Sequence, residues 1–206
     1  QAPQAVLSGP TFAAEVAKGL PTAVTIACQD DTVSDALTDA LGSPNFRTYR
    51  SHDLIGAEIG GAVKNVLAIA SGIVTGREFG SNARAALITR GLVEMHRLGE
   101  AKDAQRATLS GLCGLGDLVL TCSSEQSRNM SLGAALGRGE RFEDIMASRR
   151  SIAEGVFNAR AVVKLARELA IEMPICEAVN SILHEGATIE AEIEKLLARP
   201  LGSELT

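Results

Sequence analysis

Strand signals stop at residue 52, and nothing later in the chain restores them. Before that point, short β-type runs alternate with helical spacing. Ala5–Ser8 is a brief apolar run closed by Gly9-Pro10, and Thr22–Cys28 (TAVTIAC) has strand composition. Residues 46–50 read as a last strand after the turn Gly42-Ser43-Pro44-Asn45. Between these lie two helical stretches, 12–18 and Asp31–Leu41, the second marked by Val33, Ala36, Leu37, Ala40 and Leu41. This alternation belongs to an α/β sheet, but the stretch is too short to complete one. After residue 52 the spacing predicts helices at about 54–76, 82–98, 101–109, 125–137, 141–148, 155–171, 175–185 and 189–198. The expected fold is therefore mainly α: residues 1–52 are the end of an α/β domain, and 53–206 form an all-helical one.

Composition removes several classes of function. At 206 residues and 46% hydrophobic, the chain is long and apolar enough to bury a sizeable core. The net charge of −5 and an aromatic content of 3% without Trp argue against nucleic acid as a partner. No run of eighteen apolar residues appears and no basic, apolar leader, so neither membrane insertion nor secretion is expected. Cys28, Cys113, Cys122 and Cys176 show no C-x-x-C spacing, and His52, His96 and His184 are far apart. They read as isolated groups in a reducing compartment, with no metal site.

The stretch 56–76 carries the most chemistry. Ile59, Val63, Val66, Leu67, Ile73 and Val74 form one stripe at helical spacing, and Lys64 lies opposite, among Ala57, Gly60, Gly61, Ala68 and Ser71. Two glycines beside the lysine imply that something approaches the helix backbone closely there. The plain alternative is a solvated lysine on an outer face. However, a solvated face carries several charges, and between Ile59 and Arg77 Lys64 is the only one. Desolvation lowers the pKa of an amine in such company and suits it to proton transfer at a carbonyl–alcohol centre. General acid–base catalysis of this kind contributes about 10²–10⁴ in rate. Asn65, next in the chain, can hydrogen-bond a hydroxyl or carbonyl oxygen.

Residues 110–122 (SGLCGLGDLVLTC) are rich in glycine, but neither this stretch nor Gly137-Arg138-Gly139 completes a G-x-G-x-x-G fingerprint. They are not pyrophosphate loops; 110–122 reads as a loop that is either a plain turn or one that brings Asp117 and Thr121 to a shared site. Ser123 with Gln126 fits a capping box, which places Ser127, Arg128 and Asn129 in the first turns of a helix. Helix-start N–H groups and an Arg fork together suit an anion such as phosphate, although a capped surface helix with an incidental Arg has the same pattern. In Ser8-Gly9-Pro10-Thr11, Pro10 sits near a helix start with Ser8 or Thr11 as cap, which is either structural only or a glycine and a hydroxyl placed beside a ligand.

The segments SGPTFAAEVAKGLPTAV, GAEIGGAVKNVLAIASGIVTG, GLCGLGDLVLTCSSEQSRN and EGVFNA, in this order, resemble the bacterial NAD(P)-dependent sn-glycerol-3-phosphate dehydrogenases over nearly the whole chain. The resemblance implies a Rossmann-type cofactor domain followed by a helical substrate domain like the C-terminal domain of 6-phosphogluconate dehydrogenase. It implies a cytoplasmic enzyme that interconverts dihydroxyacetone phosphate and sn-glycerol 3-phosphate for glycerophospholipid synthesis. NAD or NADP would be the cofactor, a small phosphorylated three-carbon compound the substrate, and a homodimer a possible assembly. The family's opening fingerprint loop and an upstream lysine are missing, and the chain starts Gln1-Ala2-Pro3. The chain is therefore expected to be a fragment that begins late in the cofactor domain.

Carried over by position, Lys64 matches the proton donor and acceptor. Gly9, Thr11, Asp117, Ser127, Arg128 and Asn129 match substrate positions, and Asn65 and Thr121 match polar positions near the substrate in related eukaryotic enzymes. Ala13, Arg128, Ile152 and Glu154 match cofactor contacts, with Ile152 standing where the family often has Val. Asn65 and Asp117 would orient the reacting carbons or the lysine. Two other readings stay open on the residues alone. One is a β-hydroxyacid dehydrogenase of the same superfamily, which has no use for a phosphate cradle at 127–129. The other is a non-catalytic helical module for ligand binding or dimerisation.

Overall fold

A computed structural model describes residues 2–149, 151 and 153–200. The chain opens with a three-stranded sheet in the order β1-β2-β3, with β1 Ala5–Ser8, β2 Thr22–Cys28 and β3 Phe46–Ser51. β1 runs antiparallel to β2 (Ala5 opposite Cys28), and β3 runs parallel to it (Thr22 opposite Phe46). The central strand is buried from Val24 to Cys28, which explains why it reads as a continuous apolar run and not an alternating one. The short helix α1 (Ala13–Ala17) follows β1, and α2 (Asp31–Leu41) bridges the two parallel strands. Asp30 starts α2 by accepting the Val33 N–H at 3.1 Å.

The helical part is built round α3, Leu54–Gly76. Asp53 caps it by accepting the Gly56 N–H at 2.8 Å, and its second oxygen accepts the Gln105 N–H at 2.8 Å. One carboxylate thus fixes both the start of α3 and the chain that returns beside it. The helices packed about α3 include α4 (Gly80–Glu100), α5 (Arg106–Leu109), α6 (Asp117–Ser123), α7 (Arg128–Gly137), α9 (Gly155–Glu168) and α10 (Pro174–His184); α8 (Phe142–Ser148) and α11 (Ile189–Leu197) lie outside them. α3 is the one described helix long and apolar enough to cross a membrane, but 72% of that stretch is buried inside the fold. Its hydropathy is that of a core helix.

Burial on α3 is not confined to the apolar stripe. Val63, Val66 and Leu67 on the apolar stripe are inaccessible, but so are Ala57, Gly60, Ala68 and Ser71 on the opposite side. Most of the small face is therefore a packing face, with Gly61 and Lys64 left partly exposed. A Cβ on Gly60 would sit 2.3 Å from the Cys113 carbonyl oxygen, so the close approach expected at this glycine is that of the protein's own backbone. Further along, α3 and α7 cross with almost nothing between them. Cβ atoms on Gly72 and Gly76 would sit 2.1 and 2.3 Å from the carbonyls of Met130 and Ala134. On the other side, Cβ atoms on Gly133 and Gly137 would sit 2.0 and 2.6 Å from those of Ile69 and Ile73. Two reciprocal G-x-x-x-G pairs let the backbones touch, as in membrane helix dimers.

The structure corrects several boundaries. The helix expected at 101–109 is a turn followed by the single turn α5, because Asp103 adopts φ 61° and breaks the spiral. The expected loop at 110–122 is a π-helical turn, Leu112–Gly116, running into α6. The helix expected from 125 begins at Arg128: Ser127 is the cap, accepting the Met130 N–H at 3.3 Å, while Ser124 holds the Gln126 N–H in the preceding turn. Neither Ser8 nor Thr11 caps α1; Thr11 Oγ1 donates to the Gly9 carbonyl at 3.1 Å instead.

Candidate active site

A cavity of about 810 Å³ opens between the β1–α1 loop and the helical body. Its floor is the first half of α3, where Ala57, Gly61, Lys64 and Asn65 face it; α6 contributes Asp117 and Thr121, and the start of α7 contributes Ser127, Arg128 and Asn129. The loop supplies Gly9 and Thr11, α1 supplies Ala13, and Glu154 comes from just before α9. All of the residues singled out from the sequence line this one space except Ile152, which lies outside the described residues.

Lys64 is not alone, as its stretch of sequence made it look. Its Nζ donates to Asp117 Oδ2. Asp117 also accepts from Thr121 Oγ1 at 3.1 Å, and the backbone of Gly9 is near enough to favour its charged form. The buried carboxylate thereby ties α6 to α3, and it shares the cavity with the β1–α1 loop. Burial pushes its pKa up, and the charge of Lys64 and these hydrogen bonds work against that rise. Gly9 adopts φ 147°, and a Cβ there would sit 3.0 Å from Val24 Cα, so a side chain has no room at this turn of the loop. Lys64 keeps 21% of its side chain exposed against 3% for Asp117, so the ammonium is the partner that faces the cavity.

Arg128 stands at the rim with 53% of its side chain exposed, and its Nη2 is 3.5 Å from Glu154 Oε1. It is the first residue of α7, so the N–H groups of that helix start lie beside the guanidinium. Asn65 and Asn129 are buried beneath it and hydrogen-bonded to each other, Asn129 Nδ2 donating to Asn65 Oδ1 at 2.8 Å. Cavity residues that sequence reasoning did not single out include Gln126 and Asn158, whose Nδ2 donates to the Ala62 carbonyl at 3.2 Å. The signal for Asn158 was the segment EGVFNA, read as a block and not residue by residue.

The arrangement puts an ammonium on the floor, a cationic fork at the rim and amides between them. Residues 53–194 match the model of the NAD-dependent glycerol-3-phosphate dehydrogenase C-terminus, and residues 1–34 match the N-terminus of the same family. The chain belongs to the NAD-dependent glycerol-3-phosphate dehydrogenase family. It is 65% identical over 196 residues to the glycerol-3-phosphate dehydrogenase [NAD(P)+] of Maricaulis maris, a match covering 95% of this chain and 59% of that protein. It is 62% identical over 204 residues to the enzyme of the same name from Parvibaculum lavamentivorans, covering 99% and 61%. The crystal structure of glycerol-3-phosphate dehydrogenase from Coxiella burnetii superposes with a TM-score of 0.94 at 48% identity, covering 97% of this chain and 61% of that one. The chain thus spans about 60% of the length of these relatives.

Proposed function

We propose that this chain carries the substrate-binding and proton-transfer machinery of an NAD(P)-dependent sn-glycerol-3-phosphate dehydrogenase. The reaction interconverts dihydroxyacetone phosphate and sn-glycerol 3-phosphate, in the cytoplasm, for glycerophospholipid synthesis. On this reading residues 1–52 are the end of the cofactor domain and 53–206 are the substrate domain. The observation that carries it is the Lys64–Asp117 pair and Arg128 facing one cavity. A β-hydroxy acid would also use both cations; the phosphorylated ketone is favoured because Arg128 stands at the start of α7, where the fork and free N–H groups together suit a phosphate.

The phosphate lies against Arg128 and the start of α7, where each charge-assisted hydrogen bond contributes about 1.5–3 kcal/mol. Lys64 donates its proton to the ketone oxygen as that oxygen becomes an alkoxide, and recovers one in the reverse direction. Asp117 holds the Lys64 ammonium and balances its charge, and Thr121 holds Asp117. Asn65 orients the reacting carbons.

The residues present also fit a dinucleotide. One wall of the cavity consists of Ala13, Ala14, Ala57, Gly61 and Ala62, and a Cβ on Gly61 would meet nothing within 4 Å. That leaves flat, apolar room beside Lys64. Ala13, Arg128 and Glu154 would hold the cofactor, which supplies the hydride when bound.

The test is oxidation of NADH and NADPH with dihydroxyacetone phosphate, using the chain extended to the full length of its relatives. Turnover is expected, with Lys64 required. Absence of turnover with either cofactor, together with turnover of a β-hydroxy acid, overturns the assignment.

A further inference from the structure

Asp117 reaches Lys64 from the end of a turn that is wider than an α-helix. The Gly116 N–H donates to the Gly111 carbonyl at 3.0 Å, and the Asp117 N–H reaches back to the Leu112 carbonyl. Both bonds span five positions where an α-helix spans four, so the turn holds one residue more. If the same residues formed an unbroken α-helix, Asp117 would be set round by about 100° and would leave the face it now shows to Lys64.

The turn is held by the main chain of two elements. One is α3: a Cβ on Gly60 would meet the Cys113 carbonyl oxygen at 2.3 Å and its carbon at 3.1 Å. The other is the end of α5: a Cβ on Gly114 would meet the Leu109 carbonyl oxygen at 1.9 Å and its carbon at 2.4 Å. Neither neighbour is a side chain that can swing aside. A methyl group at either position therefore displaces the turn itself, by about 1 Å before ordinary contact is regained. Gly60 stands four positions before Lys64, on the same side of α3. Gly114 stands three positions before Asp117. The two members of the ion pair are thus carried by the two backbones that touch at Gly60.

We propose that Gly60 and Gly114 are positioning residues for the proton transfer: by admitting the wide turn at main-chain contact, they fix the reach from Asp117 to Lys64. This deepens the proposed function and rests on it for the reaction, though not for the geometry. Glycines that served packing alone would affect stability only. Glycines that position the pair also govern how firmly Lys64 keeps its proton, because a carboxylate that recedes no longer favours the ammonium. The other titratable groups around the pair are Glu58 on α3, Arg128 and Glu154 at the rim, and the thiols of Cys113 and Cys122. Burial pushes both thiols up, that of Cys122 to about 12, so they stay neutral beside Asp117.

Gly60→Ala is the test and Gly72→Ala its control. Both set a methyl group of α3 against main chain, but Gly72 faces α7 and not the turn. In the full-length form, Gly60→Ala should lower kcat for dihydroxyacetone phosphate reduction about tenfold to a hundredfold with KM little changed. The alkaline limb of its kcat profile should move about one unit to lower pH, and Gly72→Ala should leave that limb in place. An unmoved limb in Gly60→Ala, or an equal movement in Gly72→Ala, overturns the inference. In the unliganded chain, the Asp117 carboxyl carbon followed by NMR should titrate at higher pH in Gly60→Ala than in the wild type, because the ammonium that opposes the effect of burial has receded. Gly114→Ala should shift both readings in the same directions, and it carries the test if the first variant does not fold. If neither folds, hydrogen-bond scalar couplings in the wild-type chain decide. A coupling from Gly116 N to the Gly111 carbonyl carbon supports the inference, and one to the Leu112 carbonyl carbon overturns it. If the full-length form does not reduce dihydroxyacetone phosphate, the functional reading fails, and the titration of Asp117 alone decides the positioning.

Discussion

The glycines that α3 turns to the cavity and to the α7 crossing are alike in sequence and do opposite things. In the first half Gly61 sits where a methyl group would meet nothing, and the space it leaves belongs to the cavity. In the second half Gly72 and Gly76 sit where a methyl group would strike the backbone of α7. One glycine makes room for a ligand and the other two remove all room between helices. A small residue on a helix therefore says that something comes close, and only the facing element says whether that is a ligand or the protein itself.

This contrast predicts that chemistry and stability separate along one helix. The largest effect belongs to the first half: Lys64→Ala should lower dihydroxyacetone phosphate reduction about 10²–10⁴-fold in the full-length form, with binding of sn-glycerol 3-phosphate largely kept. Near-normal turnover would remove the proton-transfer role.

Next is Glu94, a buried carboxylate far from the cavity. Burial pushes its pKa to about 7, against the Ile175 and Cys176 N–H groups that it caps at 2.7 and 3.1 Å. A carboxylate raised in the folded state binds more protons there than in the unfolded chain, so stability falls as pH rises from about 4.5 to about 7. The loss is on the order of 3 kcal/mol. Asp117 adds a change of the same sign. Glu94→Gln should flatten most of this slope in a series of Tm against pH and leave ligand affinity alone; an unchanged slope would place its origin elsewhere.

Arg128→Ala should weaken phosphate binding by about 1.5–3 kcal/mol and leave Tm unmoved, because the side chain is half exposed. Gly72→Ala should do the reverse, costing about 1–3 kcal/mol of stability by overpacking, read from chemical denaturation. Smallest and sharpest is Gly61→Ala. It should gain about 0.5–1 kcal/mol of stability from helix propensity, while the added methyl group, projecting into the cavity, weakens ligand binding. If Gly61→Ala destabilises as Gly72→Ala does, the two halves of α3 are not different after all.

Much of the architecture was legible because local signals agreed with one another. Thr22–Cys28 and Asp31–Leu41 were bounded by glycine, proline and a capping aspartate, and the helix from Leu54 to Gly76 was continuous in its spacing. The stretch 110–122 failed for a physical reason. Its glycines look like loop residues, but Gly114 lies in the π-helical turn with its α-carbon against Leu109, where a Cβ would come within 1.9 Å of the carbonyl oxygen. At 123–127 two serines competed as caps, and the pattern Ser123-x-x-Gln126 lost to Ser127. The G-x-x-x-G pairs at 72/76 and 133/137 were present in the sequence, but nothing local says that they face each other. The ion pair of Lys64 was hidden for the same reason, since Asp117 is 53 positions away. The candidate site was located through resemblance to a family; from spacing alone, a loop, a capped helix and a lysine had no reason to converge.

The glycine crossing has one more consequence. A joint made of main chain has no rotamers to reset, so the separation of the two helix axes is set by atoms that every residue shares. α3 carries Lys64 and α7 carries Arg128, one cation on each arm of that joint. Under the proposed function the pair works as a caliper: the crossing sets the gap between the jaws, and a ligand is measured by the distance between the oxygen it offers to one arm and the anion it offers to the other.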